Sequence, residues 1–382
     1  MAQKDFTDID AISAIRLAML EERGIRRALL PTERLADGRV LRGGEPMISF
    51  SDNDYLGLSS HPRVIAAAIE ATRKYGAGAG AARLITGDNP LNEQLEAKIA
   101  RMKRMPAARV FGSGYLANAG AIPALVSAGD LIVMDELCHA SMHAGARLSG
   151  ARVQTFAHNN VTSAAHYLQQ RDATSHALLL TETVFSMDGD LAPLEQLAEI
   201  ASQTGAWMMT DDAHGFGVVD QKNPAPIQMG TLSKAAGAYG GYVAGPANFI
   251  ELLTSRARTF VYATGLPPGV LAAALEALEV MEVEPGLGAK ALGNARLFGS
   301  LIGRNDVFSA IVPVHYGEAA IAMAASATLA EQGFLVTAIR PPTVPENSAR
   351  LRFTFSAKHV EADIRRLAAL VLKTLADAGQ AK

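Results

Sequence analysis

Cysteine is all but missing. Cys138 is the single one among 382 residues, which excludes an intrachain disulfide or a thiolate zinc cluster and suits a reducing compartment. Clusters of one charge are missing too: the formal net charge is −3 and no basic run exceeds a pair, so there is no electrostatic footprint for nucleic acid or an anionic membrane. No stretch approaches about 18 uninterrupted apolar residues. The opening "MAQKDFTDIDAIS" is polar and acidic where a signal peptide is basic and then apolar. A cytoplasmic protein is expected, with neither nucleic acid nor membrane as partner. Internal repeats and low-complexity segments are also lacking.

What is present is a globular composition, 49% hydrophobic with 34 glycines and only 19% charged, in a chain long enough for two domains. "AISAIRLAMLEERGIRRALL" reads as a helical arm leading into a loop. From about residue 48, short β-rich runs ("MISFS", "ARVF", "DLIVM", "ARVQTF", "HALLLTET", "AWMMTDD", "PIQMG") alternate with helical patterns such as "HPRVIAAAIEATRKY" and "LEQLAEIASQTG". That alternation predicts an α/β fold whose largely parallel sheet is covered on both faces. The Pro/Gly break "EPGLG" marks a boundary, giving an arm over 1–47, a large domain over 48–284 and a small C-terminal α/β domain over 285–382.

Lys234 in "MGTLSKAAGAYGG" is flanked by small residues and hydroxyls with no adjacent carboxylate. Desolvation there favours the neutral amine that a nucleophile or base requires. In "WMMTDDAHGFG" an apolar strand ends in Asp211 and Asp212 followed by His214, at the strand end where open α/β sheets bind ligands. A turn cap and a cation site are the other readings of those residues. A Schiff-base lysine with an aspartate is what pyridoxal 5'-phosphate requires, because its ring nitrogen needs a carboxylate to stay protonated. The phosphate then needs a cradle, and "VFGSGYLANAG" offers the N–H groups of Gly114 and Tyr115 at a helix start, with the hydroxyls of Ser113 and Thr231. His139 in "DELCHASMHAG" can lie flat on the ring, and Ser186 in "VFSMDGD" can join His214 at the phenolic oxygen.

Other readings fail on context. "GAGAGAA" follows a helix where a dinucleotide fingerprint follows a strand, which removes a nucleotide-dependent oxidoreductase. His139 and His143 stand at i and i+4 without the glutamate of a zinc protease, and no metal is expected. Thr231 and Lys234 imitate the Ser-x-x-Lys of acyl-serine enzymes without the supporting elements.

Taken together, "NDYLGL", "GSGYLAN", "HAS", "VFSMDGD", "DDAHG", "TLSK" and "AIRPPTVPENSARLRFTFSA" resemble the α-oxoamine synthases, fold-type-I pyridoxal phosphate enzymes that condense an amino acid with an acyl thioester. The resemblance runs from about residue 20 to the C-terminus. It implies a mostly parallel seven-stranded sheet between helices, and a homodimer whose sites are shared between subunits. Lys234, Asp211, His214 and His139 would be catalytic. Gly114, Tyr115, Ser113, Thr231 and Ser186 would hold the cofactor, as would Thr264 in "YATGLPP", reaching the neighbour's phosphate.

Arg352 matches the arginine that binds the amino-acid carboxylate, and Arg26, Arg340 and Thr343 match substrate-side positions. "IRRALLP" and "AIRPPTVP" most resemble members that join L-alanine to a pimeloyl thioester, on coenzyme A or a carrier protein. Two departures stand out: the loop before "PIQMG" is short, and Asn92 occupies a position where histidine is usual. The complete set of Lys234, Asp211 and His214 argues against a non-catalytic partner subunit.

Overall fold

A computed structural model describes residues 8–35, 39–172 and 174–379. In chain order, helix α1 (Ile9–Glu22) precedes strands β1 (Thr32–Arg34), β2 (Val40–Arg42) and β3 (Glu45–Ser49). Helices α2 (Pro62–Tyr75) and α3 (Pro90–Lys103) lead to β4 (Ala107–Phe111), α4 (Gly114–Leu125), β5 (Leu131–Asp135), α5 (Ala140–Ser149), β6 (Arg152–Phe156), α6 (Val161–Gln169) and β7 (Ala177–Glu182). Then come α7 (Leu194–Thr204), β8 (Trp207–Asp211), β9 (Ile227–Thr231), β10 (Gly241–Gly245), α8 (Ala247–Arg256), α9 (Arg258–Val261), α10 (Pro268–Val283) and α11 (Gly286–Leu301). The chain ends with β11 (Ile311–Gly317), α12 (Ala319–Glu331), β12 (Phe334–Leu335), β13 (Thr337–Ile339), β14 (Ala349–Thr354) and α13 (Glu361–Asp377).

Internal contacts divide the chain into two compact units, one of Asp52–Val312 with Thr354–Ala369, the other of Met1–Ser51, Pro313–Phe353 and Leu370–Lys382. The division does not fall at "EPGLG". Pro285 caps α11, which stays with the larger unit because Ala291 joins the same core as Leu271, Leu278 and Met281 of α10. The proline there ends one helix and begins the next, a role proline fills at a first helical turn.

The larger unit is built on the seven-stranded sheet β4-β10-β9-β8-β7-β5-β6. β10 is antiparallel to both neighbours, and the remaining pairings are parallel. Both faces are buried, as the continuous apolar runs predict. On β5 and β7, Leu131, Val133 and Leu179 pack with α6 and α7 residues, while Ile132, Met134, Leu178 and Leu180 pack with α4 and α5 residues. The carboxyl ends of the parallel strands all point to one edge.

In the smaller unit, β1, β2 and β3 form an antiparallel run that β12 joins in parallel, and β13 pairs antiparallel with β14. Asp8 caps α1 by accepting from the Asp10 and Ala11 amides. The helix buries none of its own residues in the single chain. Among the described residues no helix is long and apolar enough to cross a membrane.

Candidate active site

The site assembles at the carboxyl edge of the large sheet. Lys234 lies in the tight turn after β9, where the Gly237 amide donates to its carbonyl at 2.8 Å. Its Nζ is 2.7 Å from His214 Nε2, and His214 Nδ1 is 2.6 Å from the Tyr55 hydroxyl. Tyr55 and His214 are buried, so amine, imidazole and phenol form a continuous hydrogen-bonded row.

Asp211, the last residue of β8, is 3% exposed. Its carboxylate accepts from the Ala213 amide at 2.9 Å and from Asn118 Nδ2 at 2.9 Å. Burial pushes its pKa up, opposed by the Lys234 charge and by these two donors. Asp212 faces the opposite side, as alternation along a strand requires. It takes hydrogen bonds from Thr183 and Lys103, both at 2.6 Å, and is no part of the site.

His139 caps α5, its Nδ1 accepting from the Ser141 amide at 3.2 Å and lying 2.7 Å from Ser141 Oγ. Asn118 Nδ2 also donates to Ser141 Oγ at 2.9 Å, so a polar chain links Asp211 to His139. With Nδ1 an acceptor, the neutral ring carries its proton on Nε2. Part of the residue reaches solvent, yet burial lowers the His139 pKa, and the pull of Asp211 upward does not cancel it. The capping reading and the functional one are therefore compatible: the cap fixes the tautomer.

Beyond β4, Ser113 caps α4 by accepting from the Leu116 amide at 3.2 Å. The first amides of that helix, on Gly114 and Tyr115, have no acceptor within the helix itself. A Cβ on Gly114 would come 3.4 Å from the Thr231 side chain, so the cradle and the end of β9 touch. Thr231 gives its hydroxyl proton to the Gly240 carbonyl at 2.8 Å, and Ser233 Oγ lies 2.8 Å from it. Ser233, the exposed member of the pair, is the hydroxyl able to turn outward. Ser186 occupies the turn after β7. Thr264 is exposed and bridges Ala82.

A family model described as aminotransferase class I and II matches residues 45–371. The chain belongs to that family. Among its relatives, 8-amino-7-oxononanoate synthase from Methylobacterium nodulans is 54% identical over 361 residues, 94% of this chain and 95% of the relative. A serine palmitoyltransferase solved with pyridoxal phosphate superposes with a TM-score of 0.91 at 25% identity, covering 99% of this chain and 100% of that one. The 8-amino-7-oxononanoate synthase of Francisella tularensis gives a TM-score of 0.73 at 28% identity over 87% of this chain and 98% of that one.

In this class I and II chain the residues gathered at the sheet edge all belong to the larger unit. The substrate-side candidates Arg26, Arg340, Thr343 and Arg352 belong to the smaller one. Arg26 is exposed beside Glu21, 3.3 Å away. Arg340 follows β13, with Nη1 3.0 Å from Met323 Sδ. The Thr343 amide donates to the Arg340 carbonyl at 3.1 Å. Arg352 is buried on β14, opposite Thr337 in register.

Sequence reasoning passed over Tyr55, Asn118, Ser141, Glu182 and Ser233. Tyr55 stands inside the quoted "NDYLGL", and Ser233 adjoins Lys234, so proximity to a motif was the available signal. Glu182 is 2% exposed at the end of β7. Its pKa is well above the carboxylate range, through burial first and the neighbouring Asp211 charge second.

Proposed function

We propose that this chain is a pyridoxal 5'-phosphate enzyme of biotin biosynthesis, condensing L-alanine with a pimeloyl thioester, with loss of carbon dioxide, to 8-amino-7-oxononanoate. The thioester is carried by coenzyme A or a carrier protein. The observation that carries the reading is the meeting of a lysine amine, a buried carboxylate and a helix N-terminus at one sheet edge, in a chain 54% identical to a synthase of that name.

The residues fit the cofactor. Asp211 is a buried carboxylate with a raised pKa, suited to a ring nitrogen that carries a proton. The N–H groups of Gly114 and Tyr115 and the hydroxyls of Ser113 and Ser233 suit a phosphate, and Thr231 would join them once its hydroxyl turns from the Gly240 carbonyl. Asn118 Oδ1 and Glu182 Oε1 are buried without a protein hydrogen-bond partner, as expected where a ligand or water completes the network. When bound, the cofactor supplies a sink for the electrons of the broken Cα–H bond.

Lys234 would hold the cofactor covalently, and its free amine would be the base that takes the Cα proton. His214 and Tyr55 behind it hold that amine in place. Asp211 keeps the ring nitrogen protonated. His139 is assigned to the ring face, with its Nε2 proton directed to the new carbonyl, and Ser186 joins His214 at the phenolic oxygen. Arg352 takes the amino-acid carboxylate, while Arg26, Arg340 and Thr343 serve the acyl side.

Thr264 completes the phosphate site of a neighbouring copy, making the enzyme a homodimer. A cytoplasmic location belongs to the same reading. The arm over 1–47, cofactor domain over 48–284 and small domain over 285–382 remain its domain scheme, although the contact units group residues differently.

The close backbone likeness to a serine palmitoyltransferase favours one rival within the family, with serine as amino acid. 5-Aminolevulinate synthase and 2-amino-3-ketobutyrate coenzyme A ligase are the glycine-using rivals. The test is reduction with borohydride followed by peptide mass spectrometry. The yellow protein is expected to bleach with the label on Lys234, and a label on another lysine would overturn the assignment. Turnover of pimeloyl thioester is expected with L-alanine and not with serine or glycine.

A further inference from the structure

We propose that His158 is a positioning residue for the reaction: clamped between Asp135 and Asp190, its ring ties together the three strand-end loops and so fixes the segments carrying His139 and Ser186. This role rests on the proposed function, whereas the charge state of the ring does not.

Asp135 ends β5 and is fully buried. One oxygen accepts from the Leu137 amide at 2.9 Å and faces His158 Nδ1 at 3.1 Å. The other accepts from the Asn159 amide at 2.8 Å. His139 lies two residues beyond Leu137. On the far side of the ring, His158 Nε2 is 2.7 Å from Asp190 Oδ2. Asn159 reinforces that side by donating to Asp190 at 3.0 Å and to the Leu191 carbonyl at 3.1 Å.

The Phe185 ring meets His158 edge-on, centroids 4.4 Å apart, and Phe185 immediately precedes Ser186. Asp190 closes that loop through its carbonyl, which accepts from the Phe185 amide at 3.1 Å. One imidazole thus joins the loop after β5, the loop after β6 and the loop after β7.

Both ring nitrogens face carboxylate oxygens, which suits two N–H donors and therefore the imidazolium. The charged groups around it are Asp135 from β5, Asp190 from the loop after β7, and Glu136, whose carboxylate accepts from the His158 amide at 2.9 Å. Burial works against the charge, but hydrogen bonds and charge from Asp135 and Asp190 outweigh it and lift the His158 pKa to about 10. A raised histidine pKa stabilises the folded state in full below its unfolded value near 6.5 and loses that contribution as pH climbs towards about 10.

The test uses holoenzyme labelled with ¹³C-histidine. The resonance that disappears in His158→Gln is expected to titrate near pH 10, and a midpoint near 6.5 would overturn the clamp. The stability gap between wild type and His158→Gln is expected to narrow from pH 6.5 to 10. In that variant kcat is expected to fall on the order of tenfold, as small misplacements of reacting groups do, with a displaced visible absorption maximum. His158→Arg, which keeps a cation able to span two carboxylates, is expected to recover part of both. A Gln variant that loses only thermal stability, with kcat and absorption unchanged, would make His158 merely structural and overturn the positioning role.

Discussion

Asp211 and Glu182 end neighbouring parallel strands in register, two carboxyl groups in one water-poor place. Both cannot ionise cheaply. Asp211 has two donors, the Ala213 amide and Asn118, whereas Glu182 Oε1 has no protein hydrogen-bond partner; the Lys234 charge pulls both pKa values down, and burial with the Asp211 charge pushes that of Glu182 well up. The two therefore respond differently to the same change. Glu182→Gln keeps the size of the group whose charged form burial and Asp211 both oppose, and turnover is expected to stay within a few-fold. Asp211→Asn removes the negative charge proposed to keep the ring nitrogen protonated, and kcat is expected to fall on the order of a hundredfold or more, with cofactor still bound. Steady-state kinetics on the two holoenzymes decides it, and comparable losses in both would refute the division of labour.

Residue type explains what was legible at this scale. A lysine among small neighbours and acids at a strand end are unusual enough to be noticed, whereas Asn118 and Tyr55 are ordinary residues given meaning only by distant partners, His214 being 159 positions from Tyr55.

At the scale of elements, the apolar runs of β5, β7 and β8 announce a buried parallel sheet, yet β10 leaves no such mark. Its sequence, "GYVAG", is bounded by glycines, which are depleted in strands and weaken the pattern. The glycine at its start has a packing reason: a Cβ on Gly241 would collide with the Ser113 carbonyl and the Gly114 amide. β10 thus packs against the turn that starts α4, the turn proposed to cradle the phosphate. In Gly241→Ala the turn must move, and the dissociation constant for pyridoxal phosphate is expected to rise about tenfold, a change of about 1.4 kcal/mol. Fluorescence titration of the apoenzyme measures this directly. Unchanged affinity would mean that β10 does not set the cradle.

Over the whole molecule, large apolar side chains lie open near Thr264 and near the sheet-edge residues: Leu84 and Ile85 beyond the Ala82 bridge to Thr264, Tyr262 two residues before Thr264, Tyr115 at the start of α4, and Tyr239 after Lys234. Open apolar side chains of this size suit a covering partner, and the proposed homodimer would cover them while bringing Thr264 to the neighbour's phosphate. Sharing of this kind is tested by complementation. Lys234→Ala removes the proposed anchor, and Thr264→Asp would set a like charge against the phosphate, so each homodimer is expected to be inactive. In a hybrid carrying one subunit of each, one site inherits both defects and the other inherits neither. The purified hybrid is therefore expected to recover about half of the wild-type turnover by simple site counting. If every site used only its own Thr264, both sites of the hybrid would remain defective and no activity would return.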